Sequence, residues 1–232
     1  MKKINYYIII STIIISACGQ INKRKAPKDG IIYDEKAVVA PTENMTAMDN
    51  YNAGYKAFQA EDYKKAISLY KQAISLDSKY VDAYDNCGLS YKRLGNLDSA
   101  AYFYKKSIEI NPSGQIAHGN LAVVYSEKGQ HENAIKEYKE ISKYNPNDPE
   151  APYGIAGIYL DLKQYDKALV SALKAVKLFE KYQPQYVGDS YYYVGLCYLN
   201  LNDKGRAKEF VEKAAQAGTP IPEEIKITLG LN

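Results

Sequence analysis

The sequence predicts an all-α fold, a right-handed superhelical solenoid of about five helix-turn-helix hairpins with a short C-terminal capping helix. Alanine recurs at intervals of 34 residues and then once at 39, at Ala66, Ala100, Ala134, Ala168 and Ala207. A second series of small residues lies twelve positions earlier, at Gly54, Gly88, Ala122, Ala156 and Gly195. Small residues at a fixed period indicate a repeated unit whose helices approach closely at the same two points, and such units stack on one another.

The first element is an export signal. Lys2 and Lys3 precede an apolar run over residues 4–15, which ends in Ile15-Ser16-Ala17-Cys18. Charge, apolar run and small residues before a cleavage site are typical of a secretory signal peptide, and about a dozen apolar residues are too few to span a membrane. The Ile-Ser-Ala-Cys ending resembles the bacterial lipobox. This resemblance implies that residues 1–17 are a lipoprotein signal peptide and that Cys18 becomes the lipid-carrying (palmitoylated) N-terminus; the alternative is an ordinary signal peptide with a chance cysteine.

Residues 18–46 are predicted to form the lipid anchor and a flexible tether. This segment has two prolines, no helical periodicity and a basic cluster at Lys23, Arg24, Lys25 and Lys28. Such a cluster either favours an anionic membrane surface or belongs to a solvated linker.

The repeat array is predicted over residues 47–221, with repeats at about 47–80, 81–114, 115–148, 149–182 and, after an insertion at 183–187, 188–221. Repeat two reads Tyr84, Gly88, Tyr91, Gly95, Ala100, Tyr104, Pro112, and repeat three reads His118, Ala122, Tyr125, Gly129, Ala134, Tyr138, Pro146. This pattern resembles the tetratricopeptide repeat. Repeat one departs from it at Asn50 and Ser78, and repeats four and five depart at Ala172 and Val211. Residues 222–232 are predicted to cap the last repeat, because Pro222 starts a short apolar helix.

Composition argues against a nucleic-acid ligand. The chain has 30 Lys and Arg residues against 27 Asp and Glu, and the balance is 28 to 27 without Lys2 and Lys3, which fall in the predicted signal peptide. Nucleic-acid-binding domains normally carry a basic excess. The 24 tyrosines and the absence of tryptophan instead suit helices that are half buried and half exposed to a groove.

No motif in the sequence predicts an enzyme, a metal site or a cofactor. His118 and His131 fall where sibling repeats carry packing residues, and no cysteine and histidine set has zinc spacing. Two Ser-x-x-Lys matches, at residues 68–71 and 171–174, lie in second helices of repeats without supporting motifs, so we interpret them as chance. Cys87 and Cys197 lie three repeats apart, beyond disulfide reach, and are predicted to be free and packed.

The resemblance implies that the first helices line a concave groove that binds a segment of a partner protein. Carried over position by position, the predicted groove residues are Tyr51, Tyr55, Asn86, Leu89, Lys92, Asn120, Val123, Tyr153, Gly157, Tyr192 and Leu196. Relatives that clamp a peptide carboxylate use Lys and Arg there, whereas Tyr51, Asn86 and Glu150 occupy three of those positions in this chain, so no clamp is predicted. We expect tyrosine anchors with amide hydrogen bonds, or tyrosines that pack between neighbouring first helices.

Together these features predict a lipid-anchored scaffold or adaptor of the bacterial cell envelope, on the periplasmic face of the outer membrane. Gly19 rather than Asp follows Cys18, and no acidic cluster follows it, which favours that membrane and leaflet. Two alternatives stay open at this point. One is a non-catalytic regulator or recruiter of a peptidoglycan enzyme, and the other is a self-associating structural lipoprotein that forms a homo-oligomer.

Overall fold

The structure of the protein, a computed structural model, describes residues 45–231. The predicted signal peptide, Cys18 and nearly all of the tether lie outside the described residues. Within the described range, regular structure consists of eleven α-helices and one short 3-10 helix. The described chain divides into two compact units between Tyr144 and Asn145, and each is described by itself.

The N-terminal unit contains three helical hairpins, which correspond to repeats one to three. Its helices are α1 (Met45–Gln59), α2 (Tyr63–Leu76), α3 (Val81–Arg93), α4 (Leu97–Ile110), α5 (Gln115–Glu127) and α6 (His131–Tyr144). The C-terminal unit contains the hairpins of repeats four and five. Its helices are α7 (Glu150–Asp161), α8 (Tyr165–Tyr182), a 3-10 turn (Pro184–Tyr186), α9 (Gly188–Asn200), α10 (Lys204–Gln216) and α11 (Glu223–Leu229). The predicted series of helix-turn-helix hairpins is therefore confirmed.

The periodic small residues mark the closest approach of the two helices of each hairpin. All five periodic alanines are fully buried. A Cβ atom added to Gly88 would lie 2.8 Å from Cε1 of Tyr104, well inside contact distance. Repeat five keeps this contact although Val211 replaces the aromatic residue, since a Cβ on Gly195 would lie 2.6 Å from its Cγ2 atom. The 34-residue period of small residues therefore has a steric cause: the two helices of a hairpin can approach this closely only where these positions carry small side chains.

Every turn between the two helices of a hairpin contains one residue in the left-handed conformation, always at the same position of the repeat. Gly95 and Gly129 occupy it with φ of +74° and +70°. In the other repeats Glu61, Lys163 and Asn202 adopt φ between 56° and 62° there. Glycine takes this conformation at no steric cost, whereas a side chain with a Cβ costs free energy. The turn geometry is therefore common to all repeats even where the residue type does not favour it.

The insertion before repeat five lengthens one helix. The second helices of the N-terminal unit each have 14 residues, whereas α8 has 18 and is followed by the 3-10 turn at Pro184–Tyr186. After α10, the short helix α11 follows Pro222 and buries Ile225 and Leu229 in the core of the C-terminal unit. The predicted capping helix is thus present.

The two cysteines in the described range are free thiols. Cys87 and Cys197 are fully buried, as predicted, and burial raises the pKa of each thiol to about 12. A thiol with so high a pKa is unreactive at neutral pH. Among the helices of residues 45–231, none is both long and apolar enough to cross a membrane.

Candidate partner-binding face

Neighbouring first helices in the N-terminal unit meet along what we call a seam, defined as the line of contact between the first helix of one repeat and the first helix of the next. At the α1–α3 seam, Nδ2 of Asn86 donates a buried hydrogen bond of 3.0 Å to the hydroxyl of Tyr51. The Tyr51 ring also lies 5.0 Å from the ring of Tyr80 and 5.7 Å from that of Tyr70. Burial raises the pKa of the Tyr51 hydroxyl, so it remains protonated and can donate as well.

The other predicted residues of the N-terminal unit differ in accessibility. Leu89 is buried, Tyr55 is 36% exposed, and Asn120 and Val123 are half-buried. Lys92 is half-buried, and its Nζ lies 3.3 Å from Oε1 of Glu127 across the α3–α5 seam. Among the predicted groove residues of this unit, those accessible to a partner are therefore a tyrosine, an amide, an apolar side chain and a lysine that is already paired with Glu127.

In the C-terminal unit, the predicted tyrosines pack against other tyrosines. The half-buried Tyr153 ring is stacked on the ring of Tyr193, with 4.7 Å between centroids and 10° between planes. A Cβ on Gly157 would lie 3.3 Å from the Tyr193 hydroxyl, so that tyrosine lies beside the glycine, which remains partly exposed. Tyr192 is fully buried and Leu196 is 1% exposed.

Five of the eleven predicted groove residues are not accessible to a partner. Tyr51, Asn86, Leu89, Tyr192 and Leu196 are all buried. In this structure these side chains are buried, and for Tyr51 and Tyr192 this corresponds to the expected alternative in which the tyrosines pack between helices. The accessible subset is Tyr55, Lys92, Asn120, Val123, Tyr153 and Gly157.

Sequence reasoning missed one first-helix residue of the C-terminal unit and two of the N-terminal unit. Tyr193 lies in repeat five at the position that Asn86 and Asn120 occupy in repeats two and three, which is the signal that identifies it. Asp82 and Asp85 of α3 also stand at groove positions of the family. Asp85 is only 5% exposed, and burial raises the pKa of its carboxyl to about 7, an effect that the neighbouring Ser107 hydroxyl partly offsets.

His118 and Lys71 are held in contacts within the fold. His118 is 4% exposed and lies between Oε2 of Glu137, at 2.6 Å, and the carbonyl oxygen of Pro112, at 3.0 Å. Lys71 donates a 2.7 Å hydrogen bond to the Tyr91 hydroxyl, away from Ser68, which is exposed. No group of three or more potential metal ligands comes together anywhere in residues 45–231.

Sequence comparison identifies the family of the repeats. A family model described as TPR repeat matches residues 54–95, and models described as Tetratricopeptide repeat match residues 91–150, 127–193 and 188–217. The chain belongs to the tetratricopeptide-repeat family. No curated protein matches this sequence.

Solved tetratricopeptide-repeat structures resemble this fold at low sequence identity. A crystal structure of MamA is 21% identical, covers 71% of this chain and 94% of its own, and has a TM-score of 0.64. MamA from Desulfovibrio magneticus RS-1 is 18% identical, covers 76% and 97%, and has a TM-score of 0.66. YrrB, described as a TPR protein with an unusual peptide-binding site, is 19% identical, covers 79% and 91%, and has a TM-score of 0.61. At these identities the likeness concerns the fold.

Proposed function

We propose that this tetratricopeptide-repeat protein is a membrane-anchored scaffold or adaptor of the bacterial cell envelope, which binds a segment of a partner protein on the face formed by its first helices. The observation that carries the proposal is that this face keeps accessible side chains on a rigid support. Tyr55 is 36% exposed and Asn120 and Val123 are half-buried, and the buried hydrogen bond between Tyr51 and Asn86 ties α1, which carries Tyr55, to α3. A tyrosine, an amide and an apolar side chain held on packed helices suit peptide recognition.

The anchoring part of the proposal rests on the sequence that precedes the described residues. The lipobox-like ending at Cys18 supports lipid attachment, and several acyl chains hold a protein stably where one is marginal. Gly19 supports a position on the periplasmic face of the outer membrane. YrrB, which is described as a TPR protein with an unusual peptide-binding site, has a similar fold, and this supports the binding mode.

Site-specific photocrosslinking in cells tests the proposed face. A photoreactive phenylalanine analogue replaces Tyr55 or Val123 in the full-length protein, one at a time. Control probes replace Tyr102 or Val170, which lie on second helices and are 55% and 71% exposed. We expect adducts from the first-helix probes and none from the second-helix probes at equal protein level. Adducts from only the second-helix probes would contradict the proposal.

Identification of the crosslinked protein by mass spectrometry distinguishes an adaptor, a recruiter of a peptidoglycan enzyme and a self-associating protein. A single envelope protein indicates an adaptor for that pathway, a peptidoglycan hydrolase or synthase indicates a recruiter of that enzyme, and a second copy of this chain indicates self-association.

A further inference from the structure

An exposed face of α8, in the C-terminal unit, is lined by lysines. Five residues of this helix follow one another at intervals of three or four, so they share one side of it. That side lies opposite the buried residues Ala168, Ala172, Ala175 and Phe179, and all five residues are exposed to solvent. We call this set the α8 stripe, and its members are Lys167, Val170, Lys174, Lys177 and Lys181.

The other repeats carry fewer positive charges, or charges of both signs, at the positions of the α8 stripe. Repeat one has two lysines and three uncharged residues there. Repeats two, three and five have an acidic residue among the basic ones, and it forms an ion pair within the same helix. The distances between Nζ and the carboxylate oxygen are 2.6 Å for Lys106–Glu109, 3.0 Å for Lys143–Glu140 and 2.6 Å for Lys213–Glu209. Repeat four alone combines four lysines with no acidic residue at these positions.

None of the four lysines of the α8 stripe has an ion pair within residues 45–231. Lys167 donates a hydrogen bond to a neutral amide oxygen, and Nζ of Lys181 lies 4.9 Å from the centroid of the Tyr182 ring. The two acidic residues of α8, Asp166 and Glu180, lie outside the stripe. The positive charge of the stripe is therefore available to an anionic surface.

Side chains suited to a membrane interface accompany these charges. Val170 is 71% exposed among the lysines of the stripe. Tyr182, the last residue of α8, and Tyr186, in the 3-10 turn that follows, are also exposed. Tyrosine has an apolar ring with a polar tip, and lysine has an apolar stem, so both suit the boundary between a bilayer and water. The stripe is a straight row about 21 Å long at the rise of an α-helix, which fits a flat surface.

We propose that the α8 stripe docks on the surface of an anionic phospholipid bilayer, with its lysines at the headgroup phosphates and Val170 in the interface. The inference rests on the membrane anchoring in the proposed function and adds a second contact with the same membrane. An anchor at Cys18 keeps a bilayer at high effective concentration around the protein, which favours this occupant over an acidic protein. Each lysine near an anionic bilayer adds to the attraction.

Fluorescence quenching by lipid measures the proposed contact. A fluorescent amino acid replaces Val170 in the full-length protein, which is reconstituted with vesicles that contain a nitroxide-labelled lipid. The vesicles consist of phosphatidylcholine alone or of phosphatidylcholine and phosphatidylglycerol in equal parts. We expect the ratio of docked to undocked protein to be about tenfold or more higher on the anionic vesicles. High salt should remove the difference, because it screens exposed charges.

Two lysine variants test whether the stripe itself makes the contact. Lys174→Gln with Lys177→Gln removes two of the charges and should lower the docked ratio on anionic vesicles about tenfold or more. Lys177→Glu copies the charge order of Lys106 and Glu109 in repeat two, and it should lower the ratio at least as much. All these positions are exposed, and thermal unfolding verifies that each variant keeps its fold.

Two controls match the position of the probe and the change in charge. A probe at Tyr102, which is 55% exposed and occupies the position of Val170 in repeat two, should show equal quenching on both kinds of vesicle. Lys64→Gln with Lys65→Gln removes the same charge from an exposed part of α2, and it should leave quenching at Val170 unchanged.

The outcomes separate this inference from the proposed function. Protein that floats with both kinds of vesicle but shows equal quenching at Val170 overturns the inference, while the anchoring stands. Quenching that persists in both lysine variants also overturns it. Photocrosslinks from Val170 to an acidic protein, without quenching by lipid, assign the stripe to a protein surface instead. Protein that floats with neither vesicle contradicts the anchoring and this inference together, whereas the Tyr55 and Val123 crosslinks still test the partner-binding face.

Discussion

At the residue scale, His118 and Glu137 form an ion pair in repeat three at the two positions where repeat two has an aromatic pair, Tyr84 and Phe103. Its two ring nitrogens lie 2.6 Å from a Glu137 carboxylate oxygen and 3.0 Å from the Pro112 carbonyl oxygen. Both partners are acceptors, so both nitrogens donate only when the ring is a protonated imidazolium. In repeat two the equivalent residue, Tyr84, donates to the Ser78 carbonyl, and its ring lies 6.2 Å from that of Phe103, the equivalent of Glu137.

This ion pair makes stability depend on pH. The hydrogen bond to Glu137 is the main cause that raises the pKa of His118, and Glu140 contributes in the same direction. Because the folded pKa lies above that of the unfolded chain, the stabilisation is full below about pH 6.5 and is lost as pH rises through the folded value. We expect the free energy of unfolding to fall by about 1–2 kcal/mol between about pH 6 and pH 8.5.

The matched control for this prediction is the double variant His118→Tyr with Glu137→Phe, which copies the pair of repeat two. Its thermal midpoint should fall less over the same pH range. Asp85, whose pKa burial raises to about 7, titrates in both proteins and cancels in their difference. If the thermal midpoints of the two proteins fell equally with pH, the conclusion that His118 is a protonated imidazolium that donates from both ring nitrogens would be contradicted.

Two glycines of first helices predict opposite effects of the same substitution. In Gly88→Ala the new Cβ would lie 2.8 Å from Tyr104, which is too close, and we expect a loss of about 1–3 kcal/mol in unfolding free energy. In Gly119→Ala the nearest atom is at 3.7 Å, and we expect a gain of up to about 1 kcal/mol from helix propensity. Urea denaturation measures both, and a loss at Gly119 as large as at Gly88 would rule out the steric account.

At the element scale, the shared turn predicts stabilising substitutions. Glu61 and Lys163 adopt the left-handed conformation with φ of 60° and 56°, which glycine takes without strain. We expect Glu61→Gly and Lys163→Gly each to raise the unfolding free energy by about 1 kcal/mol. Gly95→Ala is the reverse control, because no atom lies within 4 Å of its added Cβ and only backbone strain is tested. The denaturant midpoints of these variants test whether the left-handed conformation strains a side chain with a Cβ. A Gly95→Ala variant that is more stable than the wild type would refute this explanation.

The elements themselves could be predicted from the sequence, since their signals are local. The period of Ala66 and Ala100 predicts the helix crossings, Gly95 predicts a turn, and Pro222 predicts the start of the cap. The extra turn of α8 was not predicted, because the sequence showed only an insertion at residues 183–187 and no signal that the helix before it is longer.

The accessible face was predicted less well, for a physical reason. Exposure at the fifth and sixth positions depends on the residue that the next repeat places opposite, which is 35 residues away in the case of Tyr51 and Asn86. Periodicity gives the position of a side chain on its own helix but not the partner across the seam. Tyr51 was therefore predicted as an anchor although it is buried against Asn86, and Asp85 was overlooked.

At the scale of the whole molecule, attachment to the membrane is the testable consequence of the N-terminal sequence. We expect Cys18→Ser to abolish incorporation of radiolabelled palmitate and to shift the protein from the membrane fraction to the soluble fraction or to a retained precursor. Cys197→Ala is the control, since this buried thiol is remote from the lipobox and its loss should leave labelling intact. Labelling that persists in Cys18→Ser would disprove lipid attachment at that residue.

The Tyr51–Asn86 hydrogen bond has a consequence for how such an array can grow. The sixth residue is asparagine in each of the first three repeats, at Asn52, Asn86 and Asn120. Tyr51 therefore finds the same amide whichever of these repeats follows repeat one. After a tandem duplication of repeat one, the two copies would be connected by the same tyrosine–asparagine hydrogen bond. The array can therefore gain one whole repeat without the evolution of a new contact between repeats.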